Sequence, residues 1–247
     1  MSAPDPWLDL RRLTAARIAL GRSGVSLPTS ETLRFAEAHA MARDAVHTPL
    51  HAAALHDALV AEGFVVECVH SAAPDRATYL RRPDLGRRLA PEAAARLAAL
   101  AGTAAPALVV VMADGLSASA VETHSLPLLR ALQPRLAAQQ QAPARVIVAE
   151  QARVALGDEV GALLRAQAVL VLVGERPGLS SPDSLGAYLT WAPRIGRTDA
   201  ERNCVSNIRP AGLGIAEAAY KIAWLLAAAR TMLATGLALK DATHTLP

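Results

Sequence analysis

The sequence predicts an α/β protein in which a parallel sheet with flanking helices follows a mainly helical N-terminal region. Three short apolar runs carry this prediction, at residues 107–115, 144–151 and 168–175, and they alternate with segments of helical periodicity. Strands without a polar face are typical of a parallel sheet that helices cover on both sides. We therefore expect a helical region over residues 1–100 and a sheet domain over 101–247.

The N-terminal region alternates between helical periodicity and one strand. A helix over residues 31–46 is expected to be capped by Thr29 or Ser30. A second helix is expected to end at Gly63 in the manner of a glycine C-cap. The run FVVECVH at 64–70 alternates and is rich in valine, which predicts a strand.

The C-terminal part ends in a long helix that is predicted over residues 215–235, followed by a loose tail over 239–247. Before this helix, the segment 197–210 has few apolar residues. It predicts a solvated loop with a short helix, capped by Thr198 or Asp199. The segment also offers amide, hydroxyl and guanidinium groups, on Asn203, Ser206, Asn207 and Arg209.

Composition gives little support for nucleic-acid binding. The chain of 247 residues has a net charge of +3 and 3% aromatic residues, so few side chains could stack on bases. Its densest basic stretch is interrupted by a proline and a glycine, and it favours a solvated face or a subunit contact. That stretch consists of Arg81, Arg82, Arg87 and Arg88.

Cysteine use and the apolar runs predict a soluble protein of a reducing cytoplasm. Cys68 and Cys204 are far apart and no CxxC pair occurs, which argues against a zinc site or a redox motif. The N-terminal residues contain no apolar signal core. The longest apolar run, 107–113, is too short to cross a bilayer, so we expect no membrane partner.

Familiar enzyme motifs are missing from the sequence. The nearest match to a dinucleotide fingerprint, GLGIAE at 212–217, follows a proline and lacks the third glycine. No phosphate-binding loop, nucleophile elbow or HExxH motif occurs. Asp44 and His47 form either a dyad on one helical turn or, more simply, part of a polar helix face. We expect no metal ligand among the seven histidines of this chain.

Three polar turns follow the three apolar runs, at residues 113–119, 150–159 and 174–184. Parallel strands share a direction, so these turns are expected to open on one edge of the sheet, where ligands of open α/β sheets bind. Their backbone donors, hydroxyls and few charges suit a large polar ligand. The alternative is a set of ordinary turns, shaped by Asp114, Gly115 and Ser117 as caps or as an unusual dihedral angle.

Several of these stretches together resemble one family, the light (small) chain of the adenosylcobalamin-dependent ethanolamine ammonia-lyase. The block VGERPGLSSPDSLGAYLTWAPRIGRTDAERNCVSNIRP at 173–210 is long and unusual in composition, which makes chance similarity negligible. The other matching stretches are LTAARIALGRSGVSLPT (13–29), RFAEAHAMARDAVH (34–47), VVVMADGLSA (109–118), EQARVALGDEVG (150–161) and LKD (239–241).

The resemblance implies a role in converting ethanolamine to acetaldehyde and ammonia. A β/α-barrel heavy chain would hold the substrate and most catalytic residues. The light chain would cover the cobalamin from the other side with a Rossmann-like domain, here the predicted sheet domain over 101–247. The implied complex is a trimer of dimers of heavy–light pairs. A scaffold or regulatory subunit without a catalytic contribution is the alternative, and a stand-alone nucleotide-dependent oxidoreductase would need the missing glycine fingerprint.

The resemblance also implies three cofactor-binding positions, Val154, Glu175 and Cys204. Glu175 would accept hydrogen bonds from amide groups of the cofactor, Val154 would pack on it, and Cys204 would contribute backbone or van der Waals contact. The Asp-x-His-x-x-Gly motif, by which some cobalamin proteins insert a histidine below cobalt, does not occur. The cofactor would therefore keep its own base on cobalt.

The resemblance leaves the location within the cytoplasm open. Some family members carry a longer N-terminal extension that is thought to direct the enzyme into a bacterial microcompartment. This chain starts only about a dozen residues before LTAARIALG. A microcompartment location is therefore a second possibility beside the open cytoplasm.

Overall fold

The computed structural model describes residues 7–14 and 16–243, which form one mixed sheet with helices on both of its faces. The order of its strands is β1-β3-β2-β4-β5-β6. The strands are β1 (Val66–His70), β2 (Leu108–Ala113), β3 (Arg145–Glu150), β4 (Ala168–Gly174), β5 (Leu185–Trp191) and β6 (Asn203–Ile208).

Helices cover the two faces of the sheet unequally. One face packs against α2, α5 and α7 through a large apolar cluster, and the other face packs against α4 and α6 through a smaller one. The helices are α1 (Thr29–His47), α2 (Ala52–Ala61), α3 (Arg76–Arg81), α4 (Pro91–Ala99), α5 (Ala118–Ala138), α6 (Leu156–Leu163) and α7 (Ile215–Met232).

The centre of the sheet is the predicted parallel core. Strands β3, β2 and β4 are parallel neighbours, and every residue of β2 and β4 is buried. Their side chains belong to both apolar clusters, and the sequence therefore shows continuous apolar runs rather than alternation. The α/β fold class is thus confirmed, whereas the finer Rossmann-like description stays a prediction.

Strand β1 joins the same sheet from the N-terminal half of the chain. It pairs with β3 in parallel, with Cys68 opposite Val148. The predicted division of the chain near residue 100 therefore falls between two strands of one sheet, and it stays a prediction.

The connections around β2 diverge at a switch point. The chain leaves β2 through α5, on one face, to reach β3, and it returns through α6, on the opposite face, to reach β4. The loops that follow the neighbouring strands β2 and β3 thus leave the sheet toward opposite faces. Such a point, at the carboxyl ends of the strands, is where open α/β sheets form a crevice.

Beyond β4 the structure differs from the sequence-based interpretation. The loop after β4 does not lead to a helix, because the chain turns back and pairs β5 antiparallel to β4. Strand β6 then pairs antiparallel to β5. Within the segment 197–210, the predicted cap at Thr198 is confirmed on a short 3-10 helix, Asp199–Glu201. The predicted solvated loop over the remainder of this segment is wrong, because residues 203–208 form β6.

Smaller differences occur at helix ends and in the tail. Helix α1 begins at Thr29 after Pro28, without a side-chain cap, so the predicted cap was wrong. The glycine C-cap of α2 is confirmed, since Gly63 has a φ of +85°. The predicted loose tail is packed where it is described, because Leu239 is buried and Lys221 donates to Thr243 at 2.8 Å. Residues 244–247 lie outside the described residues.

A buried ion pair ties the added strands to the parallel core. The guanidinium of Arg202, just before β6, donates two hydrogen bonds of 2.6 Å to the carboxylate of Asp158 in the first turn of α6. Both side chains are 2% exposed. Arg202 also donates to the Thr190 hydroxyl on β5 and to the Arg197 carbonyl. Because the pair is bidentate and further bonded, it fixes the position of β6 relative to α6.

Replacing Arg202 by methionine is expected to lower the free energy of unfolding by about 3–5 kcal/mol, because the Asp158 carboxylate would stay buried without a partner. Urea unfolding followed by circular dichroism measures the loss. The matched control is Arg82→Met, which breaks an exposed pair with Asp84 and should cost no more than about 1 kcal/mol. Equal losses in the two variants would contradict this role of the buried pair.

Candidate functional site

The loops after β2, β3 and β4 meet at one cavity of about 410 Å³ beyond the carboxyl ends of these strands. The predicted convergence of the three polar turns is therefore confirmed, and the cavity lies beside the switch point, at the carboxyl ends of β3, β2 and β4. The lining residues are Tyr79, Gly115, Leu116, Arg153, Val154, Val173, Gly174, Glu175, Arg176 and Tyr188.

The buried carboxylate of Asp114 holds the loop after β3 in place. One oxygen accepts from the Ala152 N–H at 2.9 Å and the other from the Gln151 N–H at 2.9 Å. Arg76 of α3 donates to the same carboxylate at 3.1 Å and so adds a charge partner. Desolvation raises the pKa of Asp114, and these three donors oppose that shift. Asp114 thereby positions the chain that leads into Val154.

Two glycines let the loops after β2 and β4 touch. A Cβ atom on Gly115, whose φ is +55°, would lie 2.2 Å from the Gly174 carbonyl oxygen. A Cβ atom on Gly174 would lie 2.0 Å from the Ser117 carbonyl oxygen. The Leu116 N–H donates to the Gly174 carbonyl across this contact at 2.9 Å. Only glycine fits these positions, because any side chain would push the loops apart.

Glu175 joins the end of β4 to both added strands. Its carboxylate accepts from the hydroxyls of Ser184 and Ser206 and from the N–H of Asn207, the last at 3.1 Å. A carboxylate has about four lone-pair sites, so three protein donors leave room for one more. The side chain is half-buried and lines the cavity, and it can therefore brace the loop and also accept from a ligand.

Tyr188 of β5 and exposed residues of β6 lie beside the cavity. Tyr188 on β5 stands opposite Cys204 on β6, and Tyr188 lines the cavity while Cys204 is exposed. Helix α7 packs on the opposite face of these strands, against Val205 and Ile208 among others. The half-buried ring and the exposed thiol thus continue the cavity wall along these strands, and we call this surface the open face of β5 and β6.

Partial desolvation raises the pKa of the Cys204 thiol above its usual value, and the nearby Glu175 carboxylate adds to the shift, although a hydrogen bond with Tyr188 opposes it. Desolvation also raises the pKa of the Tyr188 phenol. Both groups are therefore neutral near pH 7, which suits contact with a ligand rather than ionic chemistry.

Tyr79 lines the cavity and packs against two arginines, of which Arg153 also lines it. Its ring is fully buried, with the guanidinium of Arg153 4.6 Å from the ring centroid and that of Arg76 4.9 Å from it. Desolvation and the Asp114 charge raise the pKa of Tyr79 to about 12, so its hydroxyl stays protonated and donates to the Ala152 carbonyl. The two guanidinium groups gain cation–π contacts with a desolvated ring.

The structure brings the three sequence-predicted site residues close to one another without assigning them a ligand. Val154 and Glu175 line the cavity, and Cys204 lies next to it, across from Tyr188. Sequence reasoning missed Tyr79, Arg153 and Tyr188. Arg153 lies in the polar turn at 150–159, whereas Tyr79 belongs to α3, whose sequence carries no local signal of function.

Other residues of the loop after β4 have structural partners. Gly178 and Ser181 form a tight turn through two backbone hydrogen bonds. Asp183 lies 3.3 Å from the buried ring of His124 on α5, and the Pro182 carbonyl accepts from the Ser117 hydroxyl. Ser117 is also the N-cap of α5 and accepts from the Ala120 N–H. The loop is thereby attached to the start of α5.

Features of metal centres and of membrane proteins are missing from the described part of the chain. In residues 7–14 and 16–243, no group of three or more histidine, cysteine, aspartate and glutamate side chains could hold a metal ion. Over the same residues, no helix combines the length and apolar character needed to span a membrane. Cys68 and Cys204 are both free thiols.

A sheet whose carboxyl-edge loops line a partly apolar, partly charged cavity at a switch point defines an α/β ligand-binding protein. Residues 4–240 match the family described as ethanolamine ammonia-lyase light chain. The chain belongs to this family, as the resemblance had indicated.

Relatives named as small subunits of ethanolamine ammonia-lyase are similar to this chain over almost their whole length. The ethanolamine ammonia-lyase small subunit of Azotobacter vinelandii is 55% identical over 240 residues, which cover 96% of this chain and 88% of the relative. That of Ralstonia nicotianae is 53% identical over 242 residues, covering 97% and 90%. That of Xanthomonas campestris pv. campestris is 55% identical over 240 residues, covering 96% and 88%. These are names of a lyase subunit.

The raised pKa of Cys204 has a testable consequence. Alkylation by iodoacetamide needs the thiolate, so the reaction of Cys204 at pH 8 should be slower than that of a cysteine in a short unstructured peptide. The midpoint of its pH–rate profile should lie above that of the peptide. Mass spectrometry of the Cys68→Ser variant measures the rate at Cys204 alone. A midpoint at or below the peptide value would show that the thiol is not desolvated.

Proposed function

We propose that this chain is the light-chain subunit of an ethanolamine ammonia-lyase and binds adenosylcobalamin at the cavity beyond β2, β3 and β4. A heavy chain completes the site, holds ethanolamine and supplies the catalytic residues for deamination to acetaldehyde and ammonia. The observation that carries the proposal is the coincidence of this cavity with Val154 and Glu175 in a chain of this family.

The residues present suit part of a corrinoid. The lining combines apolar atoms of Val154, Val173 and Tyr188 with polar groups of Glu175 and Arg153. Cobalamin has an apolar ring surface, a rim of amide side chains and one phosphate, so each kind of group finds a counterpart. A cavity of about 410 Å³ is too small to enclose such a ligand, which supports a site shared with a second chain.

Three contacts on this chain are proposed. Glu175 has acceptor capacity left after binding Ser184, Ser206 and Asn207, and it accepts from an amide of the cofactor. Val154 is half-buried at the cavity wall and packs on the ligand. Cys204 on the open face of β5 and β6 makes van der Waals contact through its neutral thiol.

This chain acts by holding and covering the ligand. When bound, adenosylcobalamin supplies the radical chemistry of the deamination. The Tyr79 hydroxyl stays protonated and donates to the Ala152 carbonyl, and no catalytic residue is assigned to this chain. Loops held by Asp114, Gly115 and Gly174 keep the cavity wall rigid, which positions the ligand and excludes water.

The N-terminal residues suit a contact with partner chains. Large apolar side chains before and on α1 are exposed, and α1 buries only Ala45 among its residues. A monomer rarely exposes so many apolar groups together, and we propose that they pack on the heavy chain or on another light chain, in the trimer of dimers of heavy–light pairs. These side chains are Val25, Leu27, Leu33, Phe35 and Met41. The proposed location is the cytoplasm, free or inside a bacterial microcompartment.

Reconstitution from separately purified chains tests the function. Deamination of ethanolamine and a cobalamin visible spectrum on the protein are expected only when this chain, the heavy chain and adenosylcobalamin are combined. Full activity of the heavy chain alone would refute the proposal. An active complex in which this chain does not affect cobalamin binding would favour the alternative of a scaffold or regulatory subunit.

Glu175→Ala is expected to weaken apparent cobalamin affinity by about tenfold or more, since a carboxylate hydrogen bond contributes about 1.5–3 kcal/mol, while the KM for ethanolamine changes little. Titration of the assembled complex with cobalamin, followed by absorbance, measures the change. The matched control is Glu62→Ala, which removes an exposed glutamate at the opposite edge of the sheet. An unaltered cobalamin titration of Glu175→Ala would refute the assignment.

A further inference from the structure

The cavity contains two positive charges that no protein group neutralises. Arg153 and Arg176 both line it. Within the described part of the chain, neither guanidinium lies within ion-pair distance of a carboxylate, and Arg176 makes no hydrogen bond. The one acidic side chain in the lining, Glu175, is directed to Ser184, Ser206 and Asn207.

Arg153 is held in place but only partly satisfied. Its guanidinium stacks on Tyr79 at 4.6 Å, and its Nη2 donates to the Tyr79 carbonyl at 3.4 Å. Its Nε is buried and has no hydrogen-bond partner among the described residues. A guanidinium that is fixed at a cavity wall and has no carboxylate partner in the described part of the chain points to an acidic ligand group.

Two backbone N–H groups beside Arg153 also carry partial positive charge at the cavity. The N–H groups of Val154 and Ala155, just before the first residue of α6, have no acceptor within the described residues. Val154 lines the cavity beside Arg153. The N-terminus of a helix favours negative charge because its free N–H groups carry partial positive charge. These donors add to the two guanidinium groups.

We propose that Arg153 and Arg176 form a subsite for a phosphate group, and specifically for the phosphodiester of a corrinoid's nucleotide loop. The guanidinium fork matches two oxygens of a phosphate and keeps its charge at all working pH values. A neutral amide would leave two charges uncompensated, whereas a phosphate neutralises one of them and accepts from several donors. This assignment rests on the proposed function, and it adds the part of the ligand that this corner binds.

Three corrinoids that differ at the phosphate test the assignment. Cobalamin carries the complete nucleotide loop, cobinamide phosphate carries the phosphate alone, and cobinamide carries neither. Each is titrated into the heavy–light complex by equilibrium dialysis with visible absorbance. Arg153→Met and Arg176→Met are each expected to weaken cobalamin and cobinamide phosphate by about tenfold to a hundredfold, with cobinamide changed by less than about twofold.

A matched control removes the same charge elsewhere. Arg165 is exposed just beyond the last residue of α6, at the opposite edge of the sheet, and Arg165→Met should leave all three affinities unchanged. Because Arg153 also packs on Tyr79, Arg176→Met provides a variant at an exposed residue that should fold normally. The proposal would be overturned if the arginine variants lost affinity for cobinamide and for cobinamide phosphate equally. It would also be overturned if they kept full affinity for both cobalamin and cobinamide phosphate.

Calorimetric titration with inorganic phosphate distinguishes a free ion from a ligand-borne phosphate. The assignment to the corrinoid would be overturned if inorganic phosphate needed both arginines for binding while their replacement left the affinity for cobinamide phosphate unchanged. Competition between inorganic phosphate and cobinamide phosphate, lost in both variants, would support it. Failure of the unmodified complex to bind any corrinoid would instead refute the proposed function itself.

Discussion

The buried carboxylate of Asp114 is the interaction on which the rest of the site depends. It satisfies two backbone N–H groups of the loop after β3 and pairs with Arg76 of α3. Arg76 and Arg153 then enclose the ring of Tyr79, which presents Arg153 to the cavity. A single carboxylate at the end of the central strand β2 therefore organises two loops and one helix that come from distant parts of the chain. Losing it would leave several buried donors unsatisfied at once.

Two further sets of side-chain contacts connect the parallel core to β5 and β6. Glu175 accepts donors from the loop before β5 and from β6, and Arg202 binds Asp158 at the start of α6. Each crosses from the parallel core to the antiparallel pair, one at the cavity and one away from it. As a result, the cavity wall is made of both parts of the sheet, and these side-chain contacts hold the two parts together. Under the proposed function, this bracing would position the ligand.

The sequence predicted β2, β3 and β4 because short, wholly apolar runs between helical segments are typical of buried parallel strands, and the meeting of their loops followed from parallel geometry. Strand β5 alternates between core-facing Leu185, Ala187 and Leu189 and outward residues, so period-two counting could have identified it. Strand β6 has only Val205 and Ile208 in the core, three residues apart, since Asn207 has a φ of +58° that breaks the alternation. The Tyr79–Arg153 contact spans 74 residues, and no local pattern encodes it.

The hairpin that follows β4 has a consequence for the width of the sheet beside the cavity. Where a crossover helix would follow β4 in a purely parallel sheet, the chain instead adds β5 and β6, on which Tyr188 is half-buried and Cys204 is exposed. Neighbouring strands lie about 4.8 Å apart, so these two strands extend the sheet by roughly 10 Å beyond β4. The width of the surface beside the cavity is therefore set by the number of added strands as well as by the length of the loops.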